Sequence, residues 1–165
     1  SSKEMNNLQI LTRSAVLIAL SAVGSMIKIQ GSIALDSMPG FFAALYINPI
    51  SGAAVAALGH LLTAVTSGFP LSLPMHFMLM FVMGAIAYIF GKIATKNGIL
   101  ACIVAIILNG PIATYISAEF AKILALGFSG MAMFTAMVIP LTVAGAVNII
   151  GAYMLNKLIS KNKVI

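Results

Sequence analysis

The chain has 165 residues, 61% of them hydrophobic and 7% charged, with a net charge of +6 and a mean hydropathy of +1.11. Soluble domains carry about 25% charged residues, and a fold this small needs a polar exterior. A water-soluble globule is therefore excluded, and lipid is the expected solvent. The basic residues stand singly at the ends of apolar runs, as helix anchors do, which excludes a nucleic-acid partner.

Helices are the expected spanning form, because the apolar runs are longer than the alternating strands of about ten residues that build membrane barrels. The single Cys102 sits mid-run and reads as a small buried apolar residue. There is no disulfide, no Cys/His metal spacing and no Gly-rich nucleotide motif, so no cofactor and no metal are expected, and any ATP-driven work belongs to another chain. Residues 1–4, ahead of Met5, read as a leftover from expression. Lys28, rather than a small-residue cleavage site, follows the first apolar run, so no cleavable signal peptide is expected.

In chain order, residues 1–10 read as a cytoplasmic N-terminal segment, 11–158 as a helical membrane domain and 159–165 as a cytoplasmic basic tail. The first span runs from Leu11 to Ile27, between Arg13 and Lys28. Ala15, Ala19 and Ala22 fall at i, i+4 and i+7 on one face. Small residues at that spacing admit a close helix, either in the same bundle or in another membrane subunit. The next apolar stretch, Met38 to Thr66, is broken at Asn48-Pro49.

Charge decides between a kink and a turn there. A turn gives six spans, with Lys3, Arg13, Lys92, Lys96, Lys157, Lys161 and Lys163 on the N-terminal side and only Lys28 and Lys122 opposite. A kink gives five spans and a much weaker bias. The positive-inside rule favours six, N-in and C-in. The second span, Pro39 to Asn48, is then only about 15 Å long and must be sheltered by its neighbours. The third, from Pro49 to Thr66, is crowded with Gly and Ala and reads as a packed central helix. Pro74 opens the fourth span, which ends near Phe90. The fifth starts after Asn97-Gly98, runs to Phe120 and carries Asn109-Gly110-Pro111 at mid-depth, and the sixth runs from Ala132 to Leu158.

No catalytic constellation stands out, and no enzyme is expected. Under this topology Asp36, Ser37, His60, Phe69, His76, Tyr115 and Glu119 gather at the outer end, with Met75, Met80 and Asn109 within reach. Polar and aromatic groups at one end of an apolar bundle point to a one-sided solute pocket. Asp36 is the leading candidate. It is one of three acidic residues and stands in Ile29–Gly40, too apolar for a free loop, which reads as a lid. Glu119 and Lys122 are spaced to pair at i, i+3. His60, Asn109 and Asn148 could equally bond between helices.

The Ala15–Ala19 face, the Asn48-Pro49-Ile50-Ser51-Gly52 turn and the polar loop after the first helix resemble the substrate-binding S component of energy-coupling factor vitamin transporters. Asn48 stands where that family often has Gly, and Asn takes similar backbone angles. The resemblance implies a multi-pass protein of a prokaryotic plasma membrane that binds a vitamin-like solute in its outer half. It further implies that the small-residue face of the first helix docks on a transmembrane T component driven by two ATPase subunits.

The strings Gly31-Ser32-Ile33-Ala34-Leu35-Asp36-Ser37-Met38-Pro39-Gly40-Phe41-Phe42-Ala43-Ala44 and Gly59-His60-Leu61-Leu62-Thr63-Ala64, with Ser67-Gly68-Phe69-Pro70-Leu71 and Pro74-Met75-His76, are similar to the subgroup associated with α-ribazole uptake for cobalamin salvage. A carboxylate can accept from ribose hydroxyls, while Phe69, Met75 and Met80 suit a flat base. Riboflavin or a pyrimidine would also suit, and anionic pantothenate less well. A self-sufficient small transporter, a structural or assembly membrane protein and, last, an intramembrane metal enzyme remain the alternatives.

Overall fold

Asn6 starts the first helix. Its side chain accepts from the Gln9 amide at 2.8 Å while Gln9 accepts from the Asn6 amide at 3.1 Å, a reciprocal cap. Helix α1 spans Asn7–Gly24, so it begins inside the segment expected to precede the membrane domain. The structure is a computed structural model describing residues 4–26, 28, 29, 33–69 and 71–161, with backbone alone for 28, 29, 33 and 34. Two two-residue strands, β1 (Lys28–Ile29) and β2 (Ile33–Ala34), pair antiparallel after α1. Residues 30–32 of the expected lid lie outside the described residues.

The Asn48-Pro49 break is a turn between two helices. Helix α2, Met38–Tyr46, ends there, and α3, Pro49–Thr66, begins with Pro49 in its first turn, where the missing N–H costs nothing. Asn48 caps α3 by accepting from the Ser51 amide at 2.7 Å. Nine residues make α2 about 14 Å long, half of the roughly 30 Å hydrocarbon layer. It is enclosed by its neighbours: Phe41 and Ala43 are fully buried, with Phe42 and Ala44 nearly so. The α2–α3 contact is backbone-close, since a Cβ on Gly52 would overlap Ala44.

Helix α4 spans Leu73–Ala94. The next segment starts as α5, Gly98–Ile107, passes through a π-turn at Leu108–Ile112 and continues as α6, Ala113–Ile123. Pro111 lies in the π-turn and cannot donate in the ladder, which accounts for the local widening. Helix α7, Gly130–Lys161, is about 48 Å long. Residues 159–161 of the expected tail are thus helical, and 162–165 lie outside the described residues.

Five helical segments are long and apolar enough to cross a membrane: α1, α3, α4, the continuous Gly98–Ile123 and α7. With α2 they make an all-helical bundle of six segments. Helix α3 is central, packing on α1, α2 and α4. The ends of the elements meet at two poles. At one, Arg13 Nη1 donates to the Tyr46 hydroxyl at 3.3 Å, and Gly91 abuts Pro49 and the Ala44 carbonyl. Gly98 lies against the Tyr153 ring at this same pole. The basic residues Arg13, Lys92, Lys96, Lys157 and Lys161 all belong to it. The other pole carries the α1–α2, α3–α4 and α6–α7 connections.

Candidate functional site

A cavity of 240 Å³ opens in the half of the bundle away from the basic pole. Three helical stripes build most of its wall. Met75, Leu79 and Met83 come from α4 at i, i+4 and i+8; Met133, Met137 and Leu141 come from α7 at the same spacing. Asn109, Ala113, Thr114 and Ser117 descend from the π-turn into α6, and His60 enters from α3. Asp36 and Ser37 close one side from the segment that leads into α2. Methionine and leucine supply seven of the seventeen lining residues and polar side chains another seven, a mixed wall suited to a small solute.

Each polar group is held by its element. The Thr114 and Ser117 hydroxyls donate to carbonyls four residues back, Gly110 at 2.6 Å and Ala113 at 2.8 Å, and so present lone pairs rather than protons. Asn148, 1% exposed, accepts from the Met38 amide at 2.8 Å and donates to the Ala144 carbonyl at 2.8 Å. It thereby caps α2, whose own N-cap Ser37 makes no side-chain cap bond. Burial pushes the Asp36 carboxyl above its usual range, and the backbone N–H groups of Asp36 and Ser37 offset part of that rise.

His60 Nε2 and His76 Nδ1 lie 3.0 Å apart, with the rings stacked at 5.2 Å between centroids. One nitrogen donates and the other accepts, so the His60 ring is fixed by its neighbour. Phe69 stands edge-on to His76 at 6.1 Å. The α3–α4 loop above them is in the left-handed region at Gly68 (φ 77°), Phe69 (φ 54°), Leu71 (φ 65°) and Ser72 (φ 85°). Three of these are not glycine, and such conformations cost on the order of 1–3 kcal/mol each and cluster at ligand clamps. Leu71 of this loop reaches the cavity wall.

Of the ten residues expected at a solute site, Asp36, Ser37, His60, Met75 and Asn109 line the cavity. The other five lie off its wall. His76 stands behind His60, and Phe69 lies against His76. Met80 is one position, about 100° of helix, out of phase with the Leu79 stripe. Tyr115 is 53% exposed and packs edge-on to Phe134 at 6.1 Å. Glu119 is ion-paired with Lys122 at 3.3 Å on the surface.

The wall residues not singled out from the sequence include Leu79, Met83, Thr114, Ser117, Met133 and Met137. The i, i+4 methionines of α7 were their one legible signal. Among the described residues no group of three or more His, Cys, Asp or Glu side chains could hold a metal ion.

Helix α1 has two distinct faces. Ser21 and Gly24 are buried, Ser21 against Gly59 of α3 and Gly24 against the Leu35 carbonyl. Ala15 and Ala19 are exposed and Ala22 is half-buried.

No curated protein and no solved structure matches the chain. A family model, that of the substrate-specific component of ECF transporters, matches residues 9–160. With nearly its whole length covered, and with an apolar helical bundle enclosing a solute-sized cavity, the chain belongs to the substrate-specific components of ECF transporters.

Proposed function

We propose that the protein is the high-affinity receptor for α-ribazole, a flat benzimidazole carrying a ribose, in an ATP-driven ECF transporter of a prokaryotic plasma membrane. The cavity carries this reading. Its 240 Å³ lies just under the about 300–1,000 Å³ of typical ligand sites, a size for a nucleoside-like solute and too small for an intact corrinoid. Met75, Met83, Met133 and Met137 offer polarizable surfaces for the base. Asp36 and Ser37 offer acceptors for ribose hydroxyls. The basic pole faces the cytoplasm by the positive-inside rule, N-in and C-in, and the cavity faces outward. Solute then enters beneath the α1–α2 and α3–α4 connections, and Phe69 and His76 support the cover rather than touch the solute.

The test is to purify the protein from cells that make α-ribazole, identify what co-purifies, and titrate the emptied protein with α-ribazole, riboflavin, a pyrimidine and pantothenate. Co-purification and tightest binding of α-ribazole are expected. Riboflavin or a pyrimidine binding tighter reassigns the solute. No affinity better than about millimolar, about −4 kcal/mol, removes the receptor reading.

The transmembrane T component docks on the Ala15–Ala19 face, and two ATPase subunits act through it. The exposure of those alanines, while Ser21 packs on α3 and Gly24 on the Leu35 carbonyl, supports this assignment. Ala15→Trp is expected to abolish uptake in cells while the purified protein still binds solute. Loss of both would mark the face as packing surface.

A further inference from the structure

Asn109 and Asn148 both line the cavity, in opposite states. Both ends of the Asn148 amide are occupied, by the Met38 amide and the Ala144 carbonyl. The Asn109 amide makes no hydrogen bond among the described residues. On the cavity wall this amide is open to whatever enters, and polar groups at membrane depth mark solute pathways.

The backbone around it is shaped to hold it there. Asn109 is the second residue of the π-turn, a distortion frequent at functional sites. On the facing helix, Gly145 leaves open the space Asn109 occupies. A Cβ on residue 145 would overlap Asn109 Nδ2 and stand 3.4 Å from Cγ and 3.8 Å from Cβ.

We infer that Asn109 is the specificity-determining residue of the cavity, its carboxamide hydrogen-bonding a neutral heteroatom edge of the solute such as a ring nitrogen, amide or lactam. Gly145 is the positioning residue that gives the amide room. A neutral amide at this depth selects a neutral partner, since an ionised group would be left uncompensated. The free ring nitrogen of a benzimidazole is such a partner. This deepens the solute-receptor reading above and rests on it.

The test uses the full chain in detergent as wild type, Asn109→Leu, Gly145→Ala and the double variant. Calorimetric titration with α-ribazole is paired with thermal unfolding of the solute-free protein. Asn109→Leu is expected to weaken α-ribazole binding about tenfold or more, with the solute-free unfolding temperature unchanged or raised. Gly145→Ala weakens binding in the same direction, and the double variant is no weaker than the worse single one, because both act on one group. Unchanged affinity in Asn109→Leu overturns the inference. So does a lower solute-free unfolding temperature, which marks the amide as a bond between helices. If the wild type does not bind α-ribazole, the choice of solute fails. The solute-free unfolding temperature then decides Asn109 alone, a fall overturning the assignment and an unchanged or raised value retaining it.

Discussion

The two poles of the bundle are built by different rules. At the basic pole the backbones close on one another. Gly52 meets Ala44, a Cβ on Gly91 would stand 3.0 Å from both the Ala44 carbonyl and Pro49, and Gly98 meets Tyr153. Aromatic rings take the cations: Arg13 lies 5.6 Å from the Tyr46 ring, Lys92 6.0 Å from Tyr88 and Lys157 5.2 Å from Tyr153. At the cavity pole methionines of α4 and α7 line open space, and a half-buried acid stands on its wall. The Thr63 and Ser72 hydroxyls are buried there without a partner among the described residues, and the α3–α4 loop is strained. One pole spends its sequence on packing and the other departs from packing, which is the pattern expected when binding is concentrated at one end.

That contrast can be broken most sharply by adding the same side chain at each pole. Gly52→Leu drives a branched chain into the Ala44 backbone, which cannot yield as a flexible side chain can. The expected loss is about 3 kcal/mol or more, seen as a large drop in unfolding temperature or as no folded protein. Ala144→Leu installs the same side chain on the cavity wall, where there is empty space to receive its added atoms. There the expected change in stability is under about 1 kcal/mol, while solute binding is lost. Equal destabilisation at both sites would mean the cavity is as tightly specified as the packed pole, and the division of labour would fall.

The packed pole was also the more legible in the sequence, for a physical reason. Proline, asparagine caps and basic residues mark helix ends, so the Asn48-Pro49 turn, the short α2 and the six segments could be placed from residue types alone. Segment boundaries moved by up to about four residues, as α1 shows by starting at Asn7.

The cavity lining was less legible: five of its seventeen residues were among those expected at a solute site. Asp36, Ser37 and His60 stand out because polar groups are rare in this chain. The wall contributed by α4, α6 and α7 does not. In a water-soluble helix the polar face tells which side points inward. In lipid both sides are apolar, and the phase of the helix disappears from the pattern. Hence Met80 was chosen where Leu79 and Met83 face the cavity. Tyr115 was expected at the site from its depth near the outer end, and it points outward. Glu119 was legible both ways, as a pocket acid or as the partner of Lys122, and the structure pairs it with Lys122.

Asp36 provides the finest test of the contrast, because its two roles have opposite pH dependence. Burial raises its carboxyl above the ordinary 3.8. The solute-free fold therefore favours the neutral acid. That contribution to stability is fully present below the unfolded value and is lost as pH rises through the folded one. The unfolding temperature of the solute-free protein should fall as pH rises from about 4, and Asp36→Asn should flatten the slope. Solute hydroxyls donating to the carboxylate favour the charged form instead, so α-ribazole affinity should rise across the same window. Comparing Asp36→Asn with the wild type across the same window isolates the contribution of this carboxyl to both slopes. Asp36→Asn keeps one acceptor oxygen, so it should weaken binding modestly at neutral pH and remove the pH dependence of affinity. A falling stability slope with a flat affinity slope would leave Asp36 as a buried acid of the loop and move the recognition of solute wholly onto the helices.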